Sequence, residues 1–285
     1  MPKISLAGWS LHRRFLSQES PLKLLDFPRV AKEEFGIDAI ELNNVFFEST
    51  EEAYLSRLKE SAAQAGVALV GMAVDRTGDP SSLDESQRKE SVAAARQWFP
   101  VAKSLGLPFF RINTGGHGRE SDPESLKRCI ESFKELAREA EDYGVKLVIE
   151  NHWGISANPL NIVRIIEEVG SPYLGTLPDF GNFPDERRPE VLEAVKPALP
   201  EGVAPEELRY WGLELMAPYA VGVHAKMYEF DERGNDTRID VARCVEIIRG
   251  AGFDGYWGIE FEGAGDDHEG VVKSKELLER LLAAA

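Results

Sequence analysis

The chain has 285 residues, a formal net charge of -16 and 43% hydrophobic residues. That length allows a sizeable core and matches the roughly 250 residues of one α/β barrel, while the acidic balance argues against a nucleic-acid partner, since phosphate binding needs clustered Lys and Arg. No apolar stretch approaches the roughly 18 residues needed to span a bilayer, and the opening M-P-K-I-S-L-A-G-W-S has too short an apolar run for a signal peptide.

In chain order, short β-rich runs fall at about 3–8, 37–43, 67–74, 108–113, 145–150, 174–179, 220–226 and 255–261. Between them lie charged amphipathic stretches such as S-V-A-A-A-R-Q-W-F and S-L-K-R-C-I-E-S-F-K-E-L-A-R-E-A-E. A phrase recurs in which such a stretch meets a Gly and then a strand, at Gly36, Gly66, Gly106, Gly144 and Gly252. Each of these glycines sits where a helix needs a left-handed C-terminal residue. Asp122-Pro123 marks a helix start, with Pro in the first turn where its missing N–H is harmless. Repeated helix-then-strand units signal a parallel sheet, and eight of them favour a closed (β/α)8 barrel over an open doubly wound sheet. With no Pro/Gly/Ser-rich linker in view, residues 1–285 read as one domain. The Pro- and charge-rich segment from Phe183 to Pro205 reads as irregular, a rim or lid following a strand end. Cys129 and Cys244 both fall in predicted helices and read as reduced residues, which suits a reducing cytosol and a cytoplasmic protein.

Four polar residues each end a short apolar run: Glu150 in K-L-V-I-E, Asp179 in L-G-T-L-P-D, His224 in V-G-V-H and Glu260 in Y-W-G-I-E. A barrel delivers the C-terminal ends of its strands to one face, so these side chains form a divalent-metal site if their strands lie side by side. Alternation along each strand puts Gly222, His224 and Lys226 on the lumen side, together with Gly258, Glu260 and Glu262, and Val148 and Glu150. Taken singly, Glu150 reads equally well as a solvated or ion-paired carboxylate, and His224 as a core histidine. Gly175, Gly222 and Gly258 either thin the wall for a ligand or relieve crowding in the lumen.

One imidazole and three carboxylates make a hard, oxygen-rich set suited to Mn²⁺ or Mg²⁺, with Zn²⁺ or Co²⁺ still open. A hydroxy-ketone bound through both oxygens at such an ion has an acidified proton between them. Glu150 and Glu260 are the acid/base candidates, passing that proton through a metal-bound ene-diolate. His152 and Lys226 share lumen parity with Glu150 and His224 and are candidate donors to substrate hydroxyls, beside solvent-facing rim roles. Asn113 and Asn182 are neutral candidates for the same task; His12, after W-S-L, is a weaker one, with Trp9 as an apolar wall. T-G-G-H-G around His117 fits neither a Walker loop nor a dinucleotide fingerprint and reads as a flexible loop, and His268 reads as a surface residue.

V-I-E-N-H, L-P-D-F-G-N, V-H-A-K and G-I-E-F-E, in this order, resemble the xylose isomerase-like barrel superfamily, particularly its sugar isomerase and epimerase branch related to tagatose epimerase. The resemblance covers essentially the whole chain. It implies that Glu150, Asp179, His224 and Glu260 bind a divalent cation and that the two glutamates form the proton-transfer pair. Two positions depart from that branch: Asn182 stands where it has a second, substrate-touching histidine, and Y-E-F-D-E after Lys226 lacks its usual arginine. The expected activity is therefore a metal-dependent isomerase or epimerase of a sugar or keto-polyol. The alternative on the same site is a dehydratase of a keto-cyclitol or dehydroshikimate-like acid. A non-catalytic sugar-binding protein is a further reading. An apurinic-site endonuclease on this barrel would need a histidine-rich three-zinc cluster, and only five histidines exist here. Barrels of this group often associate, so a homo-oligomer is a further expectation, with Trp153 or Phe183 as contact residues.

Overall fold

The computed structural model describes residues 3–283, so Met1, Pro2, Ala284 and Ala285 lie outside it. Among the described residues, eight parallel strands alternate with helices: β1 (Ile4–Ala7), β2 (Ala39–Asn43), β3 (Ala68–Val74), β4 (Phe109–Ile112), β5 (Lys146–Glu150), β6 (Leu174–Leu177), β7 (Val223–Met227) and β8 (Trp257–Phe261). The sheet runs β6-β5-β4-β3-β2-β1-β8-β7. Its two ends meet through Val221 N–H donating to Thr176 O at 2.9 Å, His224 N–H to Pro178 O at 2.9 Å and Phe180 N–H to His224 O at 3.0 Å. The result is a (β/α)8 barrel, and the last two bonds set Asp179 beside His224.

The helix Pro123–Tyr143 shows how sequence sets these units. The Asp122 side chain accepts from Ser125 N–H at 2.8 Å, Pro123 fills the first turn, and Gly144 closes the helix at φ +66°. Leu126, Ile130, Phe133, Leu136 and Ala140, at helical spacing, form its buried face. Cys129 and Cys244 are buried helix residues with free thiols. The segment read as irregular from Phe183 to Pro205 instead contains a helical stretch, Pro189–Val195, followed by a short 3₁₀ turn, Lys196–Ala198. Pro189 and Pro197 fall in first turns, where they start helices rather than break them.

Inside the barrel, Phe109, Val148 and Leu177, with Val221 against them, form an apolar plug. One lumen position further along the same strands come Arg111, Glu150 and Asp179. The dry plug is thus the floor on which the polar layer stands. Gly222 and Gly71 make room for it: an added Cβ would lie 2.9 Å from Phe109 Cζ at position 222 and 2.5 Å at position 71. Gly222 therefore relieves crowding rather than opening the wall to a ligand. Gly71→Ala should destabilise the fold by about 1–3 kcal/mol through overpacking, measurable as a lower urea midpoint at unchanged slope.

Candidate metal centre

Glu150, Asp179, His224 and Glu260 converge at the strand ends, with one ligand atom from each lying within 4.8 Å of all the others. All four are buried. His224 Nδ1 faces Glu150 Oε1 at 3.1 Å, Glu260 Oε2 at 3.0 Å and Asp179 Oδ2 at 3.9 Å. A single N–H cannot satisfy three carboxylates, and Glu150 Oε2, Asp179 Oδ2 and Glu260 Oε2 are buried without a hydrogen-bond donor. Buried polar atoms ordinarily find partners. Two donorless carboxylate oxygens, Asp179 Oδ2 and Glu260 Oε2, and Glu150 Oε1 face one ring nitrogen, a set that a divalent cation would satisfy, so the residues present fit such an ion.

The orientation of each ligand is fixed by its neighbours. Asp179 Oδ1 accepts from Gly181 N–H at 2.6 Å and Asn182 N–H at 2.8 Å, which leaves Oδ2 for the centre. The Asn151 side chain clamps the Asp179 backbone, accepting from its N–H at 2.7 Å and donating to its carbonyl at 2.9 Å. Lys226 Nζ donates to Asn182 Oδ1 at 2.9 Å and lies 3.2 Å from Glu262, 3.5 Å from Glu260 and 3.7 Å from Asp179.

These contacts set the charges. Burial pushes the Glu150 carboxyl up, but Arg111 and His224 outweigh it and hold it at about 2. Glu260 is likewise held well below the usual range, because Lys226 and His224 overcome its burial. Asp179 goes the other way: burial, with Glu260 and Glu150 close by, raises it well above the usual range against the pull of Lys226. Burial, reinforced by Arg111 and Lys226, lowers His152 to about 4 despite the attraction of Glu150, so its ring is a neutral donor or acceptor at pH 7.

The centre opens into a cavity of about 200 Å³ lined by Trp9, Asp75, Arg111, His152, Asn182 and Lys226 among others. Asn182 donates to Glu150 Oε1 at 3.2 Å. Asn113 is not among the lining residues; it stands behind the wall, donating to Asp75 at 2.8 Å and facing His152 Nδ1 at 3.1 Å. His12 is not brought to the cavity either. The chain coils immediately after β1, so the His12 ring stacks on Trp9 at 5.0 Å with Nδ1 turned to Trp9 O at 2.7 Å. Trp9 itself reaches the cavity and donates Nε1–H to Glu262 at 2.9 Å. His117 is exposed, edge-on to Trp153, but Gly115 and Gly116 in its loop are buried against Asp79 and Ile155, so that loop is packed rather than loose. His268 is exposed. Phe183 is buried against Gly212 and offers no contact surface. Arg188, from the segment beyond β6, donates to Asn182 O and His152 O and ties that segment to the edge of the site.

Three lining residues were not singled out from sequence. Arg111 lies 2.6 Å from Asp75 and 2.9 Å from Glu150 Oε2, although its Nε–H is not aimed at that oxygen. Glu41 meets the far side of His224. Counting two residues back from Asn113 and Asn43 along the lumen face would have reached Arg111 and Glu41, and two on from Ala73 would have reached Asp75.

The chain belongs to the xylose isomerase-like TIM barrel family, whose sequence profile matches residues 29–281. An uncharacterized protein of Methanocaldococcus jannaschii is 24% identical over 219 residues, which span 72% of this chain and 66% of that protein, just under two thirds of its length. Among solved structures, an L-ribulose 3-epimerase superposes with a TM-score of 0.73 at 16% identity, covering 100% of this chain and 95% of the other. A D-tagatose 3-epimerase-like protein gives 0.70 at 20% identity, with 99% and 97% covered. The IolI protein, solved with a bound zinc atom, gives 0.72 at 15% identity, with 99% and 98% covered. At these identities the likeness is one of fold. Among the described residues no helix is long and apolar enough to cross a membrane.

Proposed function

We propose that this chain, taken as one domain over residues 1–285, is a divalent-metal-dependent isomerase or epimerase of a sugar or keto-polyol. The observation that carries the reading is the convergence of three buried carboxylates on His224 Nδ1, two of them through oxygens without a hydrogen-bond donor. Glu150, Asp179, His224 and Glu260 would hold the ion, Mn²⁺ or Mg²⁺ by the oxygen-rich set, with Zn²⁺ or Co²⁺ also compatible. When bound, the cation supplies Lewis-acid polarisation of a hydroxy-ketone and charge neutralisation as its proton leaves.

Glu150 and Glu260 face the centre from β5 and β8, so one carboxylate removes the proton between the two substrate oxygens and the other, once protonated, returns one. Return to the opposite face of the same carbon gives an epimer; return to the neighbouring carbon gives an aldose. Lys226 fixes Glu260 by charge, and Asn182 fixes Glu150 by its amide. His152, Asn182 and Lys226 present polar atoms to substrate hydroxyls, and Trp9 forms a flat wall. The cavity of about 200 Å³ mixes polar groups with a few apolar walls, a lining suited to a small polyol. The epimerase names carried by structural neighbours support this reading, and the two buried, free thiols agree with a cytoplasmic setting.

The test is a panel of free ketoses incubated in D₂O with the metal-loaded protein. Deuterium should enter at the carbon beside the carbonyl, with an epimer or aldose forming. Loss of water with conjugated-enone absorbance would select a dehydratase instead, and binding without exchange would select a non-catalytic sugar-binding protein.

A further inference from the structure

We propose that Glu41 is the positioning residue of this centre: held by Ser5, it accepts the Nε2–H of His224 and so commits Nδ1, as a lone pair, to the cation. The inference rests on the reading of the four converging side chains as a cation site. His224 Nε2 lies 3.0 Å from Glu41 Oε2, on the side of the ring away from Glu150, Asp179 and Glu260. The other oxygen of Glu41 accepts from Ser5 Oγ at 2.7 Å, which fixes the carboxylate from a third strand. Both residues are buried, so water does not compete for either bond.

Gly258 on β8 is an independent sign that space is kept for this pair. A Cβ there would collide with Glu41 Oε1 and come within 3.2 Å of His224 Cδ2. A histidine ligand needs one nitrogen proton-free and aimed at the metal, and an acceptor on the other nitrogen selects that tautomer and holds the ring. The β2 carboxylate occupies the acceptor position; the four converging side chains come from β5, the end of β6, β7 and β8.

The experiment is calorimetric titration of the metal-stripped protein with Mn²⁺, for the unmodified chain, Glu41→Ala, Glu41→Gln and Ser5→Ala. Glu41→Ala should weaken binding by about 10- to 100-fold, the range for loss of a partner behind a ligand. Glu41→Gln, which keeps an acceptor oxygen opposite Nε2–H, should bind more tightly than Glu41→Ala, and Ser5→Ala should lose less than Glu41→Ala. Equal affinity in Glu41→Ala and the unmodified chain would overturn the proposal, as would Glu41→Gln falling as far as Glu41→Ala, since charge rather than the hydrogen bond would then be responsible. Nitrogen-15 spectra of the unmodified Zn²⁺ form supply a readout free of folding defects: Nε2 of His224 should carry the proton, and a proton on Nδ1 would overturn the proposal. If the unmodified chain binds no divalent ion, the cation site fails, and the role of Glu41 with it; if it binds and the variants do not differ, only the role of Glu41 fails.

Discussion

Glu260→Gln is expected to lower turnover of any ketose substrate by at least about 100- to 10 000-fold, the range over which a positioned acid or base contributes, while the barrel stays folded. The fold survives because the surrounding charges retain partners. Lys226 keeps Glu262 at 3.2 Å and Asp179 at 3.7 Å, and His224 keeps Glu150 and Glu41. The amide preserves volume but can neither take up a proton nor neutralise a cation. Circular dichroism and the thermal midpoint check the fold, and deuterium exchange into substrate checks the chemistry. Undiminished exchange in this variant would remove Glu260 from the proton-transfer pair.

Arg111→Met should have the largest effect on stability. Arg111 is buried between Asp75 and Glu150, and its removal strips Asp75 of its guanidinium and leaves Glu150 with His224 alone to offset its burial. Breaking a buried pair in this way costs about 3–5 kcal/mol, whereas loss of an exposed pair such as Lys23 with Glu48 costs about 0–1 kcal/mol. Because Arg111 helps hold Glu150 at about 2, below its ordinary 4.5, the stability from this pairing is present above that ordinary value and is lost as pH falls towards 2. The gap between the unmodified protein and the variant in urea should therefore be widest near neutrality and close in acid. A divalent ion at Glu150 would replace part of the missing positive charge, so the gap should also narrow on adding Mn²⁺.

Much of this site was legible in sequence because a barrel turns strand ends into a shared face. Glu150, His224 and Glu260 each close an apolar run and obey the alternation of the strand; Asp179 lies two residues beyond β6 but in line with it. Alternation gives the lumen face of β7 and β8, where Gly222, His224 and Lys226 and then Gly258, Glu260 and Glu262 alternate with apolar residues. The family resemblance of these motifs agrees with the profile match over 29–281.

What was not legible lies deeper in the strands or depends on a turn. Glu41 in A-I-E-L-N and Arg111 in F-F-R-I-N stand inside their strands rather than at the ends, and the partners that give them meaning, His224 and Glu150, are 183 and 39 residues away in the chain. His12, after W-S-L, is a weaker candidate for substrate hydroxyls in sequence, yet the 3₁₀ turn Gly8–Leu11 carries it behind Trp9. Phe183 is a candidate contact residue in sequence, but Gly212 on a later helix leaves a slot for its ring. Local pattern sets the face of a side chain; only the closed barrel sets its neighbours.

The most direct measurement is the metal stoichiometry and affinity of the stripped protein beside Asp179→Asn. Asp179 sits at the centre with one oxygen free, and its neutral amide analogue keeps the shape while removing a ligand charge. One divalent ion per unmodified chain, with binding lost or weakened at least about 100-fold in Asp179→Asn, is the predicted result. An unmodified chain that takes up no ion, or a variant that binds one equally well, would contradict it.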